Sequence, residues 1–142
     1  MFSVLHEGIY VAPQVYAEDV AAIAALGVRT VICHRPDGEE VGQPDFAPLA
    51  EKMRAAGIAH TYHQPIVGAL MSEDDALILN HILHEAEFPV LMFCRTGTRC
   101  ACVWSILQAM RGVSADELIA AAAQIQLDLS PLRVKLQNVE TF

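Results

Sequence analysis

One run of eleven residues, Val90-Leu91-Met92-Phe93-Cys94-Arg95-Thr96-Gly97-Thr98-Arg99-Cys100, restricts the folds open to this chain more than any other stretch. The four apolar residues at its start read as a short buried strand. They stop at a cysteine, a compact loop with one glycine follows, and an apolar helical segment, Ala101 to Met110, begins. A strand that turns sharply into a helix leaves the helix's first backbone N–H groups unpaired and pointing into the loop. Those donors and the positive end of the helix dipole make an anion site. Cys94 at its lip has its thiol pKa lowered, which populates a thiolate near neutral pH. Gly97 lets the backbone curl so that amides converge, and Arg99 offers a two-pronged guanidinium. A lone cysteine after a buried strand is ordinarily a small core residue. Two arginines, two threonines and a glycine in the next five positions set this one apart.

The rest of the chain alternates strand and helix signals at short intervals. Val4 to Val11 holds two small strands around Glu7-Gly8, and Glu18 to Leu26 is an alanine-rich amphipathic helix closed by Gly27. Val28 to Cys33 is a β-branched strand, followed by the polar loop His34-Arg35-Pro36-Asp37-Gly38-Glu39-Glu40. Asp45 is expected to cap a helix over 46–56. Ile58 to His63 reads as a strand and Gln64 to Met71 as a loop. Ser72-Glu73-Asp74-Asp75 has the form of a capping box opening a helix to about Ala86, and Ser114-Ala115-Asp116-Glu117 that of a second. Ser130-Pro131 is read as a cap with proline at the first position of a final short helix. The pattern predicts an α/β fold with a largely parallel sheet covered on both faces. Ligands bind such sheets at the carboxyl ends of the strands, so the loops after Cys33, His63 and Phe93 are expected to converge on one pocket.

Composition narrows the function classes. The 142 residues are expected to form one domain, and 54% hydrophobic against 18% charged residues argues against disorder. A formal net charge of −8 disfavours nucleic acid and anionic membranes as partners, so affinity for an anion has to be built locally. No apolar run approaches a membrane span and no signal-peptide pattern opens the chain, so a cytoplasmic location with reduced cysteines is expected.

With the three loops in place, the chain resembles the phosphatase-like domains of the beta-lactamase-hydrolase-like proteins, relatives of the dual-specificity tyrosine phosphatases. Three groups of residues carry the resemblance. They are Gly8-Ile9-Tyr10-Val11 with Gln14, Gly27-Val28-Arg29-Thr30-Val31-Ile32 leading into Arg35-Pro36-Asp37-Gly38-Glu39, and Cys94-Arg95-Thr96-Gly97-Thr98-Arg99. The resemblance implies a three-layer sandwich with a mostly parallel central sheet flanked by helices. It implies hydrolysis of phosphate monoesters through a phosphocysteine on Cys94, with a phosphorylated protein or small phosphoester as substrate and no cofactor. It also makes Arg99 the ligand of the phosphate oxygens, in a cradle of Arg95, Thr96, Gly97, Thr98 and Arg99.

The chain departs from that pattern in three places. Such phosphatases place one more residue between cysteine and arginine than the four here, and Cys100 stands in the usual arginine position. A loop of the form Cys-Arg-x-Gly-x-Arg is also that of the rhodanese sulfurtransferases, which carry sulfur as a persulfide. Dual-specificity phosphatases keep an aspartate general acid on a neighbouring loop, whereas Gln64–Met71 has no carboxylate. Asp37, Glu39 or His63 are the possible substitutes, and nothing in the sequence selects among them. The arginine is normally followed by a hydroxyl residue that hydrogen-bonds the thiolate, where this chain has Cys100. Three readings follow: a cysteine-dependent phosphatase, a sulfurtransferase with a Cys94 persulfide, and a non-catalytic phosphate-binding module.

The remaining polar residues are weighed against packing roles. Cys100 is either a tolerated small residue or a redox partner close enough to form a reversible disulfide with Cys94. Cys33 and Cys102 read as packed, as do Trp104 and Met110. His60 and His63 fall on opposite faces of a strand, and His81 and His84 on a solvated helix face, so no metal site is expected. His34 and His63 are placed at the mouth of the pocket, hydrogen-bonded to a loop or transferring a proton.

Overall fold

The computed structural model describes residues 2–142. Its centre is strand β5 (Val90–Phe93), whose four residues are fully buried and which pairs in parallel with β2 (Ile9–Ala12) on one side and β3 (Thr30–Cys33) on the other. A continuous apolar run belongs in this position because both faces of the strand are covered. The side-chain period of two still operates within the run. Val90 and Met92 point into one core with Ile32, and Leu91 and Phe93 into the other with Val31 and Cys33. β4 (His60–His63) closes one edge in parallel with β3, and β1 (Ser3–His6) closes the other as an antiparallel hairpin partner of β2. The order is β1-β2-β5-β3-β4. The edge strand β4, His-Thr-Tyr-His, is the polar one, as the half-solvated position requires.

Helices cover both faces and make the expected three layers. α1 (Val20–Ala25) and α2 (Phe46–Ala55) bury Ile23, Leu49 and Met53 against one face. On the other face lie α3 (Glu73–Glu85), α4 (Thr98–Met110), α5 (Ala115–Ala123) and α6 (Arg133–Gln137). α4 is apolar almost all round because it is sandwiched between the sheet and α3, α5 and α6. Trp104 and Met110 are packed there, as the sequence suggests. Each fully buried side chain such as Ile106 or Leu107 contributes roughly 1.5–3 kcal/mol. This double-sided burial holds the strand end and the start of α4 in a fixed relation.

The capping box at Ser72 forms, with the Asp75 carboxylate accepting from the Ser72 amide at 2.9 Å. Three other cap expectations are corrected. The Asp45 carboxylate caps nothing; Asp37 reaches back from the preceding loop and accepts from the Phe46 amide at 3.0 Å. At Ser114 only half of the box exists, the hydroxyl accepting from the Glu117 amide at 3.2 Å. Ser130 lies inside a 3-10 turn, and Asp128 caps it, accepting from the Ser130 amide at 2.9 Å and hydroxyl at 2.6 Å. At α2 and at the 3-10 turn an acidic residue outside the expected pattern reaches the orphan donor first. No helix among the described residues is long and apolar enough to cross a membrane.

Beyond the strand ends the loops stay tied to one another. The His34 amide donates to the Phe93 carbonyl, the Gln64 amide to the Cys33 carbonyl and the Ile66 amide to the His34 carbonyl, each at 2.9 Å. The Gln14 amide donates to the Arg95 carbonyl at 3.2 Å. These bonds bring the loops after β2, β3, β4 and β5 to one place at the carboxyl end of the sheet.

Candidate active site

The Cys94 loop is shaped by Gly97. Its φ of 92° lies in the left-handed region, and a Cβ there would come within 3.0 Å of Val11 Cγ1. Only glycine meets both conditions. The turn aims the Gly97 amide at Cys94, donating to Sγ at 3.1 Å, and α4 begins at the next residue. The Thr96 hydroxyl accepts from the Thr98 amide at 3.4 Å and donates to the Thr98 hydroxyl at 3.1 Å, bracing the outer side of the loop.

Cys94 is 1% exposed, yet its pKa is drawn down to about 6. A hydrogen bond from the Cys100 thiol is the largest cause, joined by the amides of Cys100, Thr96 and Gly97 against the opposing effect of burial. Cys100, fully buried and facing the same sulfur, is pushed well above its ordinary value and stays a thiol. The pair thus divides one charge: Cys94 carries it and Cys100 donates to it. Cys100 takes the place of the hydroxyl that the sequence comparison found missing after the arginine. Cys33 and Cys102 are pushed up by burial to about 12 and about 11, as packed thiols should be.

Three arginines gather at this loop in a chain whose net charge is −8. Arg99 donates through Nη1 to the Ile66 carbonyl at 2.9 Å and to Glu39 Oε2 at 2.8 Å, and through Nη2 to Glu39 Oε1 at 3.1 Å. Arg35, its side chain 4% exposed, holds Glu39 through Nε at 2.8 Å, Glu40 through Nη2 at 3.0 Å and Gln14 through Nη1 at 2.9 Å. Arg95 Nε pairs with Glu40 at 2.8 Å. The sequence did not single out Arg35 and Glu40 as site residues. Arg35 and Glu39 stand four apart, a spacing that hints at an ion pair but not that Arg99 joins it.

Each of the candidate proton donors has a hydrogen-bond partner in the structure. Glu39 is held well below the carboxylate range, at about 2, by hydrogen bonds from Arg99 and then Arg35, so it carries no proton at neutral pH. Asp37 is engaged with the Phe46 amide. His63 contacts the Arg35 carbonyl through Nε2 at 2.8 Å, and its ring lies 5.1 Å from that of Phe46, so it braces the acidic loop. His34 is not at the pocket mouth: it is completely buried, its Nδ1 lies 3.2 Å from the Gln64 carbonyl, and burial lowers its pKa to about 4. The hydrophobic strand end that carries it draws the ring inward, where a neutral imidazole costs least. The loop 64–71 supplies Arg99 with a carbonyl and no carboxylate. Among the described residues no group of three or more His, Cys, Asp or Glu is placed to hold a metal ion.

This arrangement can present a thiolate to a tetrahedral anion held by loop amides and Arg99. Known proteins resemble the chain in sequence and shape. The sequence profile of the family described as "Beta-lactamase hydrolase-like protein, phosphatase-like domain" matches residues 1–111. The beta-lactamase hydrolase-like protein of Agrobacterium fabrum (strain C58) is 32% identical over 108 residues, 76% of this chain and 25% of that protein. The chain therefore spans about a quarter of the length of this curated relative. The crystal structure of the phosphatase candidate nma1982 of Neisseria meningitidis z2491 is 38% identical and superposes with a TM-score of 0.91 over 95% of both chains. The core catalytic domain of the PP-IP phosphatase SIW14 from S. cerevisiae has a TM-score of 0.74 at 14% identity, covering 98% of this chain and 85% of that one, a likeness of fold alone. The arrangement of sheet and helices is that of tyrosine- and dual-specificity-phosphatase-like folds. The chain belongs to the phosphatase-like domain family of the beta-lactamase hydrolase-like proteins.

Proposed function

We propose that this phosphatase-like domain hydrolyses phosphate monoesters, of a protein or a small molecule, through a phosphocysteine on Cys94. The observation that carries the reading is the Cys94 sulfur at the turn into α4, accepting from the Gly97 amide at 3.1 Å, with the guanidinium of Arg99 in the same loop. The Cys94 sulfur attacks phosphorus in line, forming the S–P bond as the ester P–O bond breaks. The loop amides of residues 95–99 and Arg99 hold the three equatorial oxygens. Water then attacks phosphorus, the S–P bond breaks, phosphate leaves and the thiolate is restored. To bind the oxygens, Arg99 has to exchange part of its Glu39 contact for the phosphoryl group. No carboxylic acid stands ready to protonate the leaving oxygen, and general acid catalysis is typically worth ~10²–10⁴-fold. The enzyme is therefore a slow phosphatase that favours aryl over alkyl phosphates.

The four-residue spacing between Cys94 and Arg99, with the Cys100 thiol against Cys94, favours a second reading as a persulfide-carrying sulfurtransferase. The missing general acid suits a third, a phosphate-binding module without turnover. Purified protein assayed side by side on p-nitrophenyl phosphate and on thiosulfate-to-cyanide transfer separates all three, with Cys94→Ser as the blank. Ester hydrolysis that vanishes in folded Cys94→Ser is the expected result. Sulfur transfer alone selects the second reading, and phosphate binding without either activity selects the third.

A further inference from the structure

Two clefts open on either side of the arginines of the Cys94 loop. One is lined by Arg35, Glu39, Glu40, Arg95 and Arg99 and is crowded with carboxylates. The other, about 420 Å³, shares Arg95 and Arg99 but has Met71, Cys102 and Leu132 for walls and Lys135 of α6 at its border. That volume suits a small organic group.

Lys135 is the unusual member. All seven arginines of the chain have a side-chain partner, in Arg29–Glu87, Arg35–Glu39, Arg54–Thr61, Arg95–Glu40, Arg99–Glu39, Arg111–Asn80 and Arg133–Asp116. Lys135 is half-buried and, among the described residues, has no ion pair and no side-chain hydrogen bond, although the chain carries 17 acidic residues. The other lysine, Lys52, is exposed on α2, on the opposite face of the sheet. An unpaired cation half-sunk in a cleft of mixed apolar and polar lining, beside an anion cradle, is matched by an anionic ligand.

Resting on the phosphate-ester reading above, we propose that this second cleft receives the leaving group of the substrate, and that the group is a flat apolar ring bearing a second anion, carboxylate or phosphate, that meets Lys135. The asymmetry of charge sets the direction. Glu39 and Glu40 already neutralise arginines on one side of the cradle, while Lys135 is left unpaired to meet a second anion on the other. Met71 and Leu132 bury the ring, and the small loop residues of the turn after β4 leave room for it.

The test uses 4-carboxyphenyl phosphate and its neutral counterpart 4-carbamoylphenyl phosphate, with orthophosphate as reference. Calorimetric affinities are measured on Cys94→Ser protein carrying Lys135, Lys135→Gln or Lys135→Arg, and kcat/KM for the same ester pair is measured on the corresponding proteins with Cys94 intact. Both esters should bind more tightly than orthophosphate. The carboxylate should be preferred over the amide by roughly fivefold, the upper range for a partly exposed ion pair, with Lys135→Gln abolishing the preference and Lys135→Arg retaining it. Esters that bind no better than orthophosphate, or a preference that survives in Lys135→Gln, overturn the proposal and leave Lys135 as a stem packed on the cleft wall. Turnover is read separately: binding with the expected preference but no Cys94-dependent hydrolysis keeps the cleft and removes the phosphatase. Should Cys94→Ser fail to fold, the ester-pair ratio in kcat/KM, or in competition against vanadate on the wild type, decides the same question.

Discussion

Replacing Cys100 with alanine removes the donor that most lowers the Cys94 pKa. The fall from an ordinary 9.0 to about 6 corresponds to about 4 kcal/mol of preferential stabilisation of the thiolate at 1.36 kcal/mol per pKa unit. A hydrogen bond to a charged group is worth about 1.5–3 kcal/mol, so its loss should move the midpoint from about 6 to between about 7 and 8. Cys100→Ser keeps a donor and should stay close to the wild type. The assay is the pH dependence of iodoacetamide alkylation at Cys94, read by peptide mass spectrometry between pH 5 and about 8.5. Cys33 and Cys102, at about 12 and about 11, remain unreactive thiols across that window. Stability should move with it. Because the folded pKa is the lower one, the stabilisation is fully present above the unfolded value of 9.0 and is lost as pH falls through about 6. At pH 7 it amounts to about 1.4 kcal/mol in the wild type, and Cys100→Ala should lack most of it. A midpoint unchanged in Cys100→Ala, or raised as far in Cys100→Ser, refutes the thiol–thiolate pairing and returns the whole effect to the loop amides.

Arg99→Lys should lose vanadate binding almost as completely as Arg99→Ala, because an ammonium cannot reproduce a two-pronged grip; affinity retained in Arg99→Ala would assign the anion to Arg95 and the amides. Glu39→Gln removes the carboxylate that competes for Arg99, so vanadate should bind more tightly than to the wild type by titration; weaker binding would show that Glu39 chiefly orients the guanidinium. Mild peroxide should convert Cys94 to a sulfenic acid, which the Cys100 thiol then attacks with release of water. Thiol reductant should restore the activity, Cys100→Ser should make the loss irreversible, and mass spectrometry showing no Cys94–Cys100 linkage would leave Cys100 as a hydrogen-bond donor only.

What the sequence determined by itself was local. The run Val90–Phe93, the glycine at 97 and the apolar α4 are read within a few residues of one another, and strand burial, left-handed backbone and helix start depend on little else. The alternation of short strands and helices carried the layered sheet for the same reason, as did the reciprocal cap at Ser72. Only the tertiary structure could decide contacts between loops far apart in the chain. Arg99 meets Glu39 sixty residues away because β3 and β5 are parallel neighbours and deliver their following loops to the same sheet end. That pairing turns a possible proton donor into a fixed anion. Likewise Asp37 rather than Asp45 caps α2, and His34 is buried rather than exposed. Cys100 is legible as a residue type and a position, but its role depends on the turn angle that points its thiol at Cys94. Lys135 shows no signal in its own neighbourhood. It gains a role when α6 packs against α4 and sets it beside the Cys94 loop, because the packing of successive helices brings together residues that no local pattern relates.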